Sequence, residues 1–284
     1  MQRIGLVLKG SEERAISLGQ EIGRFLKENG KDLLMEASCK ELALSWNATA
    51  TDRISDEADL LVVLGGDGTI LRAASLLNAK PVPVLGVNLG RVGYMAEVAP
   101  DEAIEELKAV LEGKAHFVRR MMLQVTLPDG GLRRVLNDMV IHWGLRARLI
   151  DLGIRMGDSR EIELRADGLI VSTPIGSSAY SYAANGPLVH PEIEAILLTP
   201  ICPYSGLNRP LIIPPHMETE LVLKKGQDLT LTLDGHATVD LRVGQSVHIV
   251  RAPLPFVMVQ SRARGYFEVL QQKLGLLCTW PAAT

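Results

Sequence analysis

The chain has 284 residues, of which 47% are hydrophobic and 22% are charged, enough for one large or two ordinary domains. Its formal net charge of -3 argues against a nucleic-acid partner, which would need a basic surface. Three scattered cysteines indicate a reducing compartment, and no apolar run approaches the roughly 18 residues of a membrane helix. We therefore expect a soluble, cytoplasmic protein without a nucleic-acid or membrane partner.

The first 115 residues alternate between strand-like and helix-like segments. Helical spacing of apolar residues runs from Glu13 to Asn29, and Gly30 follows where a C-terminal cap belongs. The other predicted elements are the strands RIGLVLK (3–9), DLLVVLGG (59–66) and VPVLGVN (82–88), and the helices TILRAASLLN (69–78) and DEAIEELKAVLEG (101–113). This alternation predicts an α/β domain with a parallel, Rossmann-like sheet.

The loop GGDGT (65–69) lies between a predicted strand and a predicted helix, where open α/β sheets bind ligands. A phosphate loop of the GxxxxGK[ST] type is absent, and so is GxGxxG after a strand. Gly65, Gly66, Gly68 and Thr69 predict a loop that admits a phosphate donor to a helix N-terminus. Asp67 would then accept a hydroxyl proton during phosphoryl transfer. In the alternative interpretation Asp67 only caps the helix.

From about residue 116 to residue 259 the pattern changes to short segments with a period of two. The segments REIELRADG (160–168), DLTLTLDG (228–235) and QSVHIVRA (245–252) predict antiparallel strands of a β-rich domain. A short helix is predicted between Ser178 and Ile193. The tail YFEVLQQKLGLL (266–277) predicts a strand that runs into a helix. We predict domains at 1–115 and 116–260, with the segment 261–284 packing back on the first.

Three polar stretches of the second domain allow both a functional and a plain structural interpretation. Asn137 and Asp138 lie in a strand-like context, where they would point to opposite faces, or they form a turn or bulge. The stretch TPIGSSAYS (173–181) and the next residue supply Tyr180 and Tyr182, which could stack on a planar base, or it is an ordinary capped helix start. The stretch Asp234–His236 has the composition of a plain hairpin turn.

Taken in order, several segments resemble bacterial NAD kinases. They are GGDGT (65–69), GVNLGRVGYMAE (86–97), LND (136–138), RADGLIVSTPIGSSAYS (165–181), NGPLVHP (185–191) and TPICPYSGLNRPLIIP (199–214). The GGDGT loop alone is shared with diacylglycerol and sphingosine kinases, whereas the long segments of the second domain are more specific. The resemblance covers about residues 59 to 236.

The resemblance implies an α/β domain followed by a sandwich-like all-β domain, assembled as a homodimer or homotetramer. It implies transfer of a phosphoryl group from ATP or polyphosphate, with a divalent metal such as magnesium, to the adenosine ribose 2'-hydroxyl of NAD. It identifies no protein side chain as a metal ligand. A lipid or sphingoid kinase, or a dinucleotide-sensing module without turnover, remains as the alternative.

The resemblance also implies roles for individual residues. Asp67 would be the proton acceptor. The residues expected to bind NAD are Gly68, Arg72, Asn137, Asp138, Arg148, Arg165, Asp167, Ser178, Ala179, Tyr180, Ser181, Tyr182, Ala183 and His236. Among them Asn137 and Asp138 would hold the adenosine end, Asp167 the nicotinamide amide, and Ser178 to Tyr180 the adenine and its ribose.

The chain departs from the family pattern at three places. Asp138 stands where the family usually has glutamate, so its carboxylate is one methylene shorter. Ile175 and Ser178 replace threonines, and His236 stands where glutamine is common. Because Asp67 is kept, these departures bear on affinity and substrate preference more than on reaction type.

Overall fold

The structure, a computed structural model, describes residues 1–9, 12–77, 80–90, 93–143, 149–226, 229–261 and 265–274. It divides into two compact units, one formed by Met1–Val118 with Val257–Thr284 and the other by Arg119–Phe256. Within the described residues, no helix is long and apolar enough to span a membrane.

The strands are β1 (Arg3–Leu8), β2 (Asp32–Glu36), β3 (Thr49–Thr51), β4 (Leu60–Leu64), β5 (Val84–Val87), β6 (His116–Arg120), β7 (Leu123–Thr126), β8 (Leu132–Val135), β9 (Asp138–Trp143), β10 (Ile150–Met156), β11 (Ile162–Ala166), β12 (Gly168–Ser172), β13 (Ile196–Ile201), β14 (Ser205–Gly206), β15 (Leu211–Ile213), β16 (Thr219–Lys225), β17 (Leu229–Leu233), β18 (Ala237–Leu241), β19 (Ser246–Arg251) and β20 (Phe256–Gln260). The helices are α1 (Glu13–Glu28), α2 (Lys40–Ser45), α3 (Ile54–Glu57), α4 (Asp67–Leu76), α5 (Ala103–Leu111), α6 (Tyr180–Ala183) and α7 (Tyr266–Leu274), with 3-10 turns at Ala37–Cys39, Pro100–Glu102 and Ile175–Ser178.

The first unit is built on a sheet of strand order β3-β2-β1-β4-β5-β20-β6. The pairs from β3 to β20 are parallel, as the alternation of strands and helices predicts. Every residue of β4 is buried, which explains its uninterrupted apolar sequence. Helix α1 packs the apolar stripe predicted from its spacing against this sheet, and Gly30 follows it with φ +65°, a conformation that favours glycine.

The second unit contains two antiparallel sheets, with strand orders β14-β11-β10-β16-β19-β7-β8 and β15-β13-β12-β9-β17-β18. Alternate residues of both sheets share one hydrophobic core, which includes Leu152 and Leu221 from the first and Ile141 and Leu169 from the second. The unit is therefore the all-β sandwich expected for the second domain.

The tail differs from its prediction. The described residues of the tail form helix α7 from Tyr266 onward rather than beginning with a strand, and Val269 and Leu270 supply the buried face of the helix. Aromatic residues such as Tyr266 and Phe267 favour strands by residue type, but here they form the first turn of a helix. The strand closest to the tail is β20, which ends at Gln260 and pairs in parallel with β5. Residues 275–284 of the predicted segment lie outside the described residues.

Candidate active site

Asp67 lies immediately after the carboxyl end of β4, as the first residue of α4. The N-cap residue is Gly66, and the carboxylate of Asp67 turns away from the helix to the backbone of residues 94–96. The interpretation of Asp67 as a helix cap is therefore wrong.

The two carboxylate oxygens of Asp67 are used unequally. Oδ1 accepts the backbone N–H groups of Met95 at 3.0 Å and Ala96 at 3.2 Å, while Oδ2 accepts that of Tyr94 at 2.9 Å. A carboxylate oxygen has two acceptor positions, so Oδ1 is saturated by the chain and Oδ2 keeps one position open. Asp67 is partly buried, and the three hydrogen bonds fix the direction of its carboxylate.

The segment that holds Asp67 is itself held by Asn88, a buried residue directly after β5. Its side-chain amide donates to the carbonyl of Ala96 at 3.3 Å, and its amide oxygen accepts the N–H of Gly90 at 2.9 Å. Sequence reasoning did not single out Asn88. The available signal was a polar residue at the end of a strand next to the strand that carries GGDGT.

The glycines of the loop differ in role. Gly65 is buried, donates its N–H to the carbonyl of Val87 at 3.0 Å, and leaves no room for a Cβ, which would lie 2.8 Å from the Cβ of Thr69. Gly66 and Gly68 are exposed beside the first turn of α4, where backbone N–H groups have no partner within the helix. This turn is suited to an anion such as phosphate.

The guanidinium of Arg72, a residue predicted to contact phosphate or NAD, is hydrogen-bonded to two protein groups. Nη1 donates to Glu36 Oε1 at 2.6 Å, and Nη2 donates to the carbonyl of Leu8 at 3.2 Å. Arg72 therefore joins α4 to the carboxyl ends of β1 and β2. The helical position alone could not reveal this pairing, because Glu36 lies on a different strand.

In the second unit, Asn137 lies in a bend and Asp138 is the first residue of β9. The turn from Asp234 to His236 joins β17 to β18, so the predicted hairpin is correct. Asp234, however, is buried, and its carboxylate accepts the backbone N–H groups of Leu136, Asn137 and Asp138. Sequence reasoning gave this aspartate no role beyond a turn.

Asp138 and Asp234 form a pair of buried carboxyl groups. Burial, and then the nearby charge of Asp234, raise the pKa of Asp138 to about 7. Burial also raises the pKa of Asp234, but its three backbone N–H donors and His236 act in the opposite direction. The carboxyl group of Asp138 has no hydrogen-bond partner among the described residues.

The stretch after β12 is tied to the bend at Asn137. Thr173 Oγ1 donates to the carbonyl of Leu136 at 2.6 Å and accepts the N–H of Gly176 at 3.1 Å, while the Thr173 N–H donates to the carbonyl of Asn137 at 2.9 Å. A Cβ on Gly176 would lie 2.7 Å from the Cα of Asn137. Close backbone approach therefore requires glycine at 176.

Replacing Thr173 with valine should lower the free energy of unfolding by about 1 to 3 kcal/mol, because it leaves the buried carbonyl of Leu136 and N–H of Gly176 without the hydroxyl. Denaturant unfolding followed by circular dichroism measures the change. Thr238→Val, at an exposed position of β18, is the matched control and should change it by less than about 0.5 kcal/mol. Equal stability of the two variants would contradict this role for Thr173.

The residues expected at the adenine separate into exposed and buried groups. Tyr180 and Tyr182 expose 48% and 41% of their surface, so both rings are accessible for stacking. Ala183 is exposed, and Ala179 and Ser178 are partly exposed, with the Ser178 hydroxyl donating to the carbonyl of Ile175 at 3.0 Å. Ser181 is fully buried and bonds Thr199 at 2.9 Å, so its hydroxyl supports the fold rather than facing solvent.

The remaining predicted residues lie at exposed positions or outside the described chain. Asp167 is exposed in the bend between β11 and β12. Arg165 contacts Asp151 at 3.4 Å and lies 5.8 Å from the ring centroid of Tyr204. His236 is exposed, with Nδ1 directed at the carbonyl of Asp234. Arg148 lies outside the described residues.

Comparison with protein families matches both parts of the chain. Residues 4–115 match the model of the ATP-NAD kinase N-terminal domain, and residues 136–261 match that of the ATP-NAD kinase C-terminal domain. The chain is 39% identical over 280 residues to an NAD kinase of Geotalea daltonii and 40% identical over 279 residues to one of Geobacter sulfurreducens. Each alignment covers 96% of this chain and 98% of the relative.

Two solved structures are similar along nearly the whole chain. Yeast NADH kinase complexed with NADH superimposes with a TM-score of 0.90 at 26% identity, covering 100% of this chain and 90% of that one. An NAD kinase from Archaeoglobus fulgidus in complex with ATP gives a TM-score of 0.76 at 26% identity, covering 96% and 99%. The similarity therefore extends to the fold of both units.

Proposed function

The chain belongs to the NAD kinase family, and on that premise we propose that Asp67 is the general base of its phosphoryl transfer. As an NAD kinase, the enzyme transfers a phosphoryl group from a donor such as ATP to the adenosine ribose 2'-hydroxyl of NAD, giving NADP. The observation that carries the proposal is the fixed carboxylate of Asp67 beside the glycine loop, with one acceptor position of Oδ2 open.

The unequal use of the two oxygens supports Oδ2 as the atom that accepts the proton. The ribose hydroxyl donates its hydrogen to Oδ2 while its oxygen attacks the γ-phosphorus of ATP. The bond between that phosphorus and the bridging oxygen breaks, ADP leaves, and the proton stays on Asp67. Phosphoryl transfer needs little covalent help from the protein, so holding the base in one direction is a large part of what the chain contributes.

The exposed first turn of α4 would bind the donor phosphates through the backbone N–H groups at Gly66 and Gly68. The described residues contain no group of three or more His, Cys, Asp or Glu side chains that could hold a metal. Mg²⁺ in phosphoryl-transfer sites is often held by substrate phosphates, water and one or two carboxylates. When bound, it would neutralise charge on the donor phosphates.

The second unit would bind NAD. Asn137 and Asp138 would hold the adenosine end, and the exposed ring of Tyr180 would stack on adenine with Ser178 near its ribose. Asp167 would reach the nicotinamide amide. Arg72, Arg165, His236 and Arg148 stay predictions as ligand contacts.

A turnover screen tests the proposal. NAD and NADH are each incubated with ATP or polyphosphate and magnesium, and NADP or NADPH is measured. We expect turnover of NAD with ATP, lost when a chelator removes magnesium and restored when magnesium is returned. Binding of NAD by calorimetry without turnover from any donor would instead indicate the dinucleotide-sensing alternative. Turnover that survives chelation would contradict the role of magnesium.

The alternative of a lipid or sphingoid kinase is not favoured, because the matched families and the relatives above are NAD or NADH kinases. We further propose that the enzyme is a cytoplasmic homodimer or homotetramer. Light scattering on the purified chain distinguishes these two assemblies from a monomer.

A further inference from the structure

Asp234 has features that a hairpin turn does not require. It adopts the left-handed conformation with φ +48°, and only 9% of its surface is exposed, although a turn between two strands normally places its polar residues in water. A buried carboxylate is costly unless it is paired or hydrogen-bonded. Its position therefore calls for a reason beyond the turn itself.

The buried carboxylate of Asp234 is satisfied by backbone groups almost a hundred residues earlier in the chain. Asp234 Oδ2 accepts the N–H of Leu136 at 2.8 Å, and Oδ1 accepts those of Asn137 at 2.7 Å and Asp138 at 3.2 Å. The N–H of Asp234 in turn donates to the carbonyl of Asp138 at 2.9 Å. The turn thus acts as a clamp on three successive residues.

The opposite side of the same segment is held by Thr173, which donates to the carbonyls of Leu136 and Asn137. Together, Asp234 and Thr173 bind every backbone N–H and carbonyl group of residues 136–138. The side chains of Asn137 and Asp138 are then the groups of this segment that remain for a ligand, and their directions are set by the clamp.

We propose that Asp234 is a positioning residue for NAD, whose carboxylate fixes the backbone of residues 136–138 and so directs Asn137 and Asp138 at the dinucleotide. The inference rests on the proposed role of those two residues in NAD binding. Asp234 itself need not contact the ligand.

The charge of Asp234 also affects the pKa of Asp138. The groups that face Asp138 are Asp234 from the turn and Ser172, which stands opposite on β12 and does not titrate. On its own strand, His142 lies on the same face and bonds Trp143 and Thr232, and His236 acts on Asp234. Loss of the Asp234 charge should therefore lower the pKa of Asp138, because burial alone would remain to raise it.

Asp234→Asn tests the proposal without changing the backbone preference, since asparagine tolerates the left-handed conformation as well as aspartate does. The amide keeps one acceptor oxygen but turns an NH₂ group toward a backbone N–H. We expect KM for NAD to rise about tenfold or more, because the binding side chains lose their fixed direction. KM for ATP should change much less.

The pH dependence of KM for NAD distinguishes a positioning role of Asp234 from a loss of protein stability. KM for NAD in the unaltered enzyme should change with a midpoint near the pKa of Asp138, about 7, and in Asp234→Asn that midpoint should move to lower pH. Asp129→Asn is the matched control: Asp129 is also a turn aspartate that accepts a backbone N–H, from Gly131 at 2.8 Å, but it lies in the β7–β8 hairpin. It should leave both KM and its midpoint unchanged.

Two results would overturn the proposal: an unchanged KM for NAD in Asp234→Asn, or a raised KM with an unmoved midpoint. Asn137→Ala distinguishes this failure from failure of the underlying binding role. If Asn137→Ala leaves NAD affinity by calorimetry unchanged, the role of Asn137 is wrong. If it weakens NAD binding while Asp234→Asn does not, the binding role stands and the clamp does not.

Discussion

Replacing Asp67 with asparagine should lower kcat by about 10²- to 10⁴-fold, the range over which a positioned general base acts. Asparagine has nearly the same shape but cannot take the hydroxyl proton, and one of its two terminal groups no longer accepts a backbone N–H. A coupled assay that follows NADPH formation measures the loss. Affinity for NAD, measured by calorimetry, should stay close to that of the unaltered enzyme, because the proposed NAD contacts apart from the loop lie in the second unit.

Asp59→Asn is the matched control for this change. Asp59 precedes β4 as Asp67 follows it, and its carboxylate also accepts backbone N–H groups, from Gln2 at 2.6 Å and Arg3 at 2.9 Å. These bonds lower the pKa of Asp59. The control variant should lose stability but keep kcat. Near-normal turnover of a folded Asp67→Asn protein would show that the proton goes elsewhere.

Replacing Gly93 with alanine should reduce kcat by about 10²-fold without touching a reacting group. A Cβ at this position would lie 2.7 Å from Cγ and 3.0 Å from Oδ2 of Asp67, closer than real Cβ contacts allow. Either the carboxylate or the 93–96 segment must move, and a displacement of about 1 Å near the reacting atoms can cost 10²-fold. The same coupled assay measures the effect.

Gly90→Ala, in the same connection, is the control, since the nearest atom to its added Cβ is Asn88 Oδ1 at 3.8 Å. It should retain most of the activity. If Gly93→Ala acts through Asp67, combining it with Asp67→Asn should add little to the loss of the aspartate alone, because the two changes remove one function. If the losses of kcat in the two single variants instead multiply in the double variant, Gly93→Ala does not act through Asp67.

The sequence predicts those parts of the structure that depend on local pattern. The buried run of β4 and the helical stripe of α1 are visible in the order of apolar residues, because burial on one face imposes a period on neighbouring positions. The GGDGT loop could be located for the same reason, between a strand and a helix. Asp67 could be singled out because the loop contains more glycines than a helix cap requires.

Contacts between segments that lie far apart in the chain could not be predicted from local sequence patterns. Asp234 binds residues 96 to 98 positions earlier, and nothing in the letters DGH distinguishes a clamp from a turn. The pairing of Arg72 with Glu36 could not be predicted, because a helical position does not reveal which strand end a long side chain reaches. The role of Asn88 could not be predicted because it bonds the backbone of Gly90 and Ala96, and a backbone partner leaves no mark on the residue types.

The place of β20 in the first sheet has a consequence for how the protein is made. β20 lies between β5 and β6 and is encoded after the whole second unit, so a ribosome releases β1 to β6 with a gap in their sheet. Until residue 260 has emerged, the open edge of β5 is free to pair wrongly. The first unit therefore completes its sheet last, and a chain truncated before β20 would leave that sheet incomplete even though every residue of the GGDGT loop is present.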